Sequence, residues 1–188
     1  MLIMRRILSI AILLLICFTA HAQFKAHFYL QPDGTFRTKD NADYVVVEYD
    51  GIPADKLYTM VKSNINSLYK SPKDVMSEVE NTSITIRGYD NKVTINKFGY
   101  SGYYNLNFRF KDGKIRVAAP IVDKDVYSPS GDIRNDFSDV AANFFNKKDG
   151  SVKPKKIKYK EYTENNLNLI IYKIIQSQEE SQSKEDNW

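Results

Sequence analysis

The sequence predicts an α+β domain, one antiparallel sheet covered by helices on a single face. Two alternating apolar runs flank Asp112-Gly113 within Tyr103–Val122 (YYNLNFRFKDGKIRVAAPIV), the pattern of a β-hairpin. A two-residue turn there sets Phe110 against Ile115, Phe108 against Val117, Leu106 against Ala119 and Tyr104 against Ile121, and these pairs form one apolar face. The opposite face carries Asn105, Asn107, Arg109, Arg116 and Ala118, because side chains alternate along a strand. A sheet that is apolar on one side needs a helical layer there. Leu57, Met60, Val61, Ile65 and Leu68 recur at helical spacing and supply one.

The remaining elements follow in chain order. Phe24–Leu30 reads as a short strand that ends at the turn Pro32-Asp33-Gly34-Thr35, and Thr38–Asp43 as polar loop. Tyr44–Tyr49 (YVVVEY) is a β-rich run bounded by Asp50-Gly51. The first helix is expected from Pro53 to Lys70, with Pro53 in its first turn, Asp55 at the positive end of its dipole and Ser71-Pro72 as its stop. Asp74–Glu80 fits an extended segment or a loop. Ser83–Tyr89 alternates as a strand, Asp90-Asn91 reads as a tight turn, and Val93–Phe98 is the strand after it. These two strands and the hairpin make a four-strand meander. Ile133, Phe137, Val140, Ala141, Phe144 and Phe145 mark a second helix over Asp132–Lys147. Leu167, Ile170, Ile171, Ile174 and Ile175 mark a third from Thr163, a candidate N-cap, to about Gln178.

Residues 1–22 are read as a secretory signal: a basic start, a twelve-residue apolar run over Ile7–Phe18, and Ala20-His21-Ala22 as the cleavage pattern. The apolar run is too short for a membrane span of about 20 residues, so no transmembrane segment is expected after cleavage. Bulky Ile16 before Cys17 argues against lipid attachment. Removing 22 of 188 residues leaves 166, enough for one domain with modest extensions. The expected organisation is an N-terminal extension over 23–43, an α+β domain over 44–147, and a lysine-rich connector with a C-terminal helix and polar tail over 148–188. Loss of Arg5 and Arg6 lowers the formal charge from +4 to +2, because all 23 acidic residues lie beyond Gln23. So small a charge on an exported chain argues against nucleic acid.

Several short motifs occur in a recognisable order: Gly51, Lys56-Leu57-Tyr58, Ser71–Val75 (SPKDV), Ile84–Tyr89 (ITIRGY) and Lys111–Val117 (KDGKIRV). Together they resemble the bacterial exported family called domain of unknown function 4468, described as having a TBP-like fold. The resemblance runs from about Tyr44 to Val122 and extends toward the Asp132 helix. It implies β-α-β-β-β-β-α order, and it brings no activity and no functional residue with it.

Chemistry leaves few marks. After cleavage the chain holds one histidine, His27, and no cysteine, so an imidazole–thiolate metal site is not expected. Asp132, Asp136 and Asp139 share a helical face but lack the spacing of a calcium loop, and a solvated helix start accounts for them. There is no G-x-S-x-G elbow, no G-x-G-x-x-G and no Walker sequence, and nothing nominates a carboxylate pair for glycoside hydrolysis. The reading is therefore non-enzymatic, with no cofactor and no metal.

Two surfaces remain. The first is the polar sheet face, where Arg87, Asn105, Asn107, Arg109 and Arg116 are the candidate ligand-binding residues and Thr85 accompanies them. Arg109 and Arg116 fall directly opposite each other, a like-charge pair that wants solvent or an anion. The second is the run Lys147–Lys160, with seven lysines against Asp149 and Glu161, which serves as a soluble connector or contacts acidic envelope material. The function expected is a binding module of the periplasm, cell envelope or exterior, acting through the polar face on an envelope polysaccharide, peptide or protein. The alternative is a structural or assembly protein whose C-terminal helix packs on a protein partner.

Overall fold

In the computed structural model residues 26–95, 97–131 and 133–176 are described. The expected signal, Phe24, Asp132 and the tail beyond Gln176 lie outside the described residues. The elements are β1 (Tyr29–Leu30), β2 (Phe36–Arg37), β3 (Tyr44–Glu48), α1 (Ala54–Leu68), a helical turn α2 (Pro72–Val75), β4 (Met76–Val79), β5 (Ser83–Ile95), β6 (Gly99–Lys111), β7 (Lys114–Ala118), β8 (Ile121–Tyr127), β9 (Arg134–Asp136), α3 (Phe137–Ala142) and α4 (Ile157–Ile175). The main sheet runs β3-β7-β6-β5-β4, antiparallel throughout. β8 pairs with the first half of β6 and β9 with β8, while β1 and β2 form a separate ribbon.

The hairpin forms as its alternation demands. Phe110 faces Ile115, Phe108 faces Val117 and Arg109 faces Arg116. At its tip Gly113 takes a left-handed φ of 73°, which a side chain would resist. The tip is also fastened to the start of α1. The Asp112 carboxylate accepts the Ala54 N–H at 2.9 Å, Gly113 N–H donates to Ile52 C=O at 2.8 Å, and Gly113 C=O accepts from Tyr49 N–H at 2.7 Å. A carboxylate there satisfies an orphan donor of the helix and meets the positive end of its dipole.

The expected register fails beyond Val117. Pro120 has no N–H to donate to β6, so the ladder is interrupted at Ala119-Pro120 and the Ala119 N–H turns to Asp43 C=O at 2.8 Å. Pairing resumes one residue out of step, with Asn105 opposite Ile121 and Tyr104 opposite Val122. A one-residue slip exchanges the faces. Val122 therefore enters the core, and Ile121 is 64% exposed.

Four further expectations are corrected. Ser83–Ile95 is one strand with an irregularity between Asp90 and Thr94, so Asp90-Asn91 is no turn. The second helix is only Phe137–Ala142. Arg134–Asp136 pairs with β8 instead, the Asp136 side chain caps the helix by accepting Ser138 N–H, and Ile133 is exposed. That placement removes Asp136 and Asp139 from a shared helical face. α4 begins at Ile157, and Thr163 is no cap: its hydroxyl lies buried mid-helix against Thr94 Oγ1 at 2.9 Å. Leu68, at the end of α1, is exposed.

One face of the sheet carries the core. α1 buries Leu57, Tyr58, Val61 and Ile65, and α4 buries Leu167, Ile171, Ile174 and Ile175. The stretch before β1 joins them: Ala26, Phe28 and Leu30 are buried in the same cluster. The Asn168 amide pairs with both backbone groups of Phe28 at 2.9 Å, and Glu164 accepts the Leu30 N–H at 2.7 Å, so α4 side chains stand in for a neighbouring strand. The last carbonyls of α4 receive Asn64 Nδ2 and the Tyr49 hydroxyl.

Gly88 sits opposite Tyr104 across β5 and β6, and a Cβ built on it would lie 2.3 Å from Tyr104 Cζ. That ring is held by burial and by a 2.8 Å hydroxyl contact with Tyr69. Burial pushes both phenols above their ordinary value. Gly88→Ala is expected to lower the unfolding free energy by about 1–3 kcal/mol through overpacking, measured as a fall in the urea midpoint. A variant as stable as the parent would show that the Tyr104 ring moves freely.

Candidate functional site

Among the described residues no element covers the face of the sheet opposite α1 and α4. Strand alternation brings Thr85, Arg87 and Tyr89 of β5 onto it, together with Tyr103, Asn105, Asn107 and Arg109 of β6 and Arg116 of β7. All five residues expected from sequence lie there. Their side chains divide into two groups with different electrostatics.

The first group is internally satisfied. Asp123, placed on this face by the slip at Pro120, pairs with Arg87 at 2.6 Å and accepts from Asn105 Nδ2 at 2.9 Å. The Arg87 guanidinium also lies over the Tyr103 ring, 4.1 Å from its centre, and Tyr89 meets the same ring edge-on at 4.9 Å. Asn107 donates to Thr85 at 2.8 Å. Each of these contacts engages one donor nitrogen of its side chain.

The second group is not. Arg109 and Arg116 are direct cross-strand partners, and among the described residues neither forms an ion pair. They line a groove of ≈ 720 Å³ with Tyr44, Glu48, Lys111 and Lys114. The groove sets four cations against the single carboxylate of Glu48. Arg116 rests over the Tyr44 ring at 4.1 Å, which orients its guanidinium. The geometry suits a ligand that carries carboxylate, sulfate or phosphate groups, because a guanidinium donates to such oxygens in pairs.

Sequence reasoning missed Asp123, Tyr44, Lys111 and Lys114. Pro120 was the available signal for Asp123, since proline inside a strand implies a broken ladder. Lys111 and Lys114 flank the hairpin turn and were legible there. Tyr44 joins only because β3 pairs with β7, which no local pattern specifies.

Other polar clusters are spent on structure. A second groove of ≈ 660 Å³ between the β1–β2 turn and the start of α3 contains Asp33, Arg37, Lys124 and Asp136. Bonds from Thr35 hold the Asp33 carboxyl below the usual range, and bonds from Ser138 do the same for Asp136, which also pairs with Lys124 at 3.5 Å. Burial holds the His27 imidazole below its ordinary value, against an opposing pull from Glu164. The lysine run is dispersed: Lys153 donates to Asn143 C=O, and Lys160 pairs with the buried Glu164. Among the described residues no group of three or more His, Cys, Asp or Glu side chains is placed to hold a metal ion, and no helix is long and apolar enough to cross a membrane.

The chain matches no protein-family model and no curated protein. Among solved structures it is similar to a DUF4468 family protein from Bacteroides ovatus, with a TM-score of 0.53 and 11% identity over 77% of this chain and 88% of that one. A TBP-like protein from Parabacteroides distasonis gives a TM-score of 0.43 and 12% identity over 70% and 90%. The first likeness shows the fold: the α+β architecture implied by the resemblance to domain of unknown function 4468 is the one this chain adopts. At this identity it carries no site residue across.

Like charges directly opposite on a sheet destabilise it. Arg109→Gln is therefore expected to raise the unfolding free energy by about 0.2–1 kcal/mol at low ionic strength, less in salt. The urea midpoint with and without added salt measures this, and an unchanged or lowered midpoint at low salt would show that the pair is not repulsive.

Proposed function

We propose that the protein is an exported, non-enzymatic binding module of the periplasm or cell envelope that holds an acidic polysaccharide on the open face of its sheet. The observation that carries this reading is the Arg109–Arg116 pair, opposed across β6 and β7 with no ion pair to either among the described residues, in a groove where two more lysines outnumber the carboxylate of Glu48. An anion set between the two guanidiniums relieves their repulsion and gains charge-assisted hydrogen bonds from both. The tyrosines on the same face offer flat apolar surface to sugar rings. Arg87, Asn105 and Asn107 frame this site, with their side chains engaged by Asp123 and Thr85. The alternative, assembly through the C-terminal helix, loses its motivating feature, because the Leu167–Ile171–Ile174 stripe lies in the protein's own core.

Polygalacturonate is a suitable acidic probe, with dextran as its neutral counterpart, and calorimetric titration of each gives the comparison. The parent is expected to bind polygalacturonate and not dextran, more weakly as salt rises. Arg109→Ala with Arg116→Ala should weaken binding at least about tenfold, given about 1.5–3 kcal/mol for a hydrogen bond to a charged group. Arg87→Ala, whose guanidinium is already held by Asp123, should change it little. Equal binding of both polymers, or no loss in the double variant, would overturn the proposal.

A further inference from the structure

Among the described residues β3 is an edge strand that pairs only with β7, and it carries no proline, lysine or bulge to discourage a further strand. The opposite edge, β4, is four residues long, follows directly on the helical turn α2, and has Glu78 engaged by Lys62.

The direction of the free backbone groups on β3 follows from its two ends. Asp43 C=O accepts from Ala119, and Tyr49 N–H donates to Gly113, so odd-numbered positions turn toward β7. In an antiparallel pair these positions alternate. The N–H and C=O groups of Tyr44, Val46 and Glu48 therefore point away from the sheet, and among the described residues they meet no other backbone group.

We infer that two copies of this chain pair through β3, antiparallel and centred on Val46. That register is the one that uses every outward group: Val46 meets Val46 of the second copy, and Tyr44 meets Glu48 of the second copy twice, each as a hydrogen-bonded pair. A shift of two residues either way leaves some of these groups unpaired. The side chains agree with the register. The Tyr44 phenol faces a carboxylate acceptor, Val45 faces Val47, and neither Asp43 nor Asp50 meets a like charge, since they oppose Tyr49 and Ala42. Val46 and Tyr44 are 43% and 41% exposed in the single chain, and they contribute the apolar part of the contact.

Pairing would join the two sheets edge to edge and bring the open faces onto one surface. With strands spaced about 4.8 Å apart, the two Arg116 positions would lie roughly three spacings, about 14 Å, from each other. The two basic grooves would then flank the dyad, an arrangement that favours a polymer over a small anion. The dimer does not depend on the ligand proposed above, and its test uses no ligand.

Single cysteines report both the contact and its register, because Cys17 is the chain's sole cysteine and can be replaced by serine. In a Cys17→Ser background, Val46→Cys is expected to form a disulfide-linked dimer under mild oxidation. Hydrogen-bonded antiparallel pairs hold Cα atoms about 5.5 Å apart, within disulfide range. Glu48→Cys should fail to cross-link, since its counterpart lies about four residues further along the strand, and Tyr44→Cys combined with Glu48→Cys should succeed. Sedimentation velocity of the parent should show a concentration-dependent dimer. Val46→Pro, which removes one outward N–H and none of those bonded to β7, should shift it to monomer with the thermal midpoint retained. If Val46→Pro unfolds the chain, Val46→Lys at the same edge takes its place. A parent that stays monomeric, cross-linking of Glu48→Cys as fast as Val46→Cys, or a dimer untouched by both edge variants would overturn the inference.

Discussion

Proline at position 120 has no N–H, and much of the open face follows from that absence. A continuous ladder from Lys114 to Tyr127 would keep one register, with Asp123 directed at the core. The interruption at Ala119-Pro120 moves β8 one residue along β6, so Val122 and Val126 fill the core and Asp123 faces outward. There it meets Arg87 and Asn105. One half of the face is thereby neutralised, and the other keeps its positive charge because β7, on the near side of the break, supplies Arg116 and Lys114 with no carboxylate beyond Glu48.

The two halves differ in what they contribute to the folded state. Asp123, Arg87 and Tyr103 make a partly exposed network in which ion pair, stacking and amide bond share one carboxylate and one ring. An exposed ion pair alone contributes little, and here the gain is orientation, with Tyr103 and Tyr89 held at fixed angles. The Arg109–Arg116 pair works the other way. It sets two arginines directly opposite each other, with Arg116 resting over the Tyr44 ring, and like charges so placed oppose the fold.

Behind the face, identifiable contacts hold the scaffold together. The Asp112–Gly113 turn is tied to α1, the Tyr104 ring occupies the space that Gly88 leaves, and Asn168 and Glu164 satisfy the backbone of the first described residues. These contacts join segments far apart in sequence into one hydrophobic cluster. α4 is therefore a structural member of the core, and its polar residues Thr163, Glu164 and Asn168 are buried because each has a backbone or side-chain partner.

The sequence alone determined what depends on local period and turn chemistry: the hairpin at Asp112-Gly113, the opposition of Arg109 and Arg116, the buried stripe of α1 from Leu57 to Ile65, and the sheet's division into apolar and polar faces. Periodicity reads one element at a time, and these features live within one element or one tight turn. It failed where the reason lay in another part of the chain. Thr163 resembles a cap until its hydroxyl is seen to donate to Tyr159 C=O and to meet Thr94 Oγ1, and Asp90-Asn91 resembles a turn until β6 is seen to pair past it. The tertiary structure alone decided that Asp123 would neutralise Arg87 and that β3 would stand beside β7 and place Tyr44 under Arg116. Each is a pairing between strands distant in sequence, and long-range register is set by what the whole core can bury rather than by any local pattern.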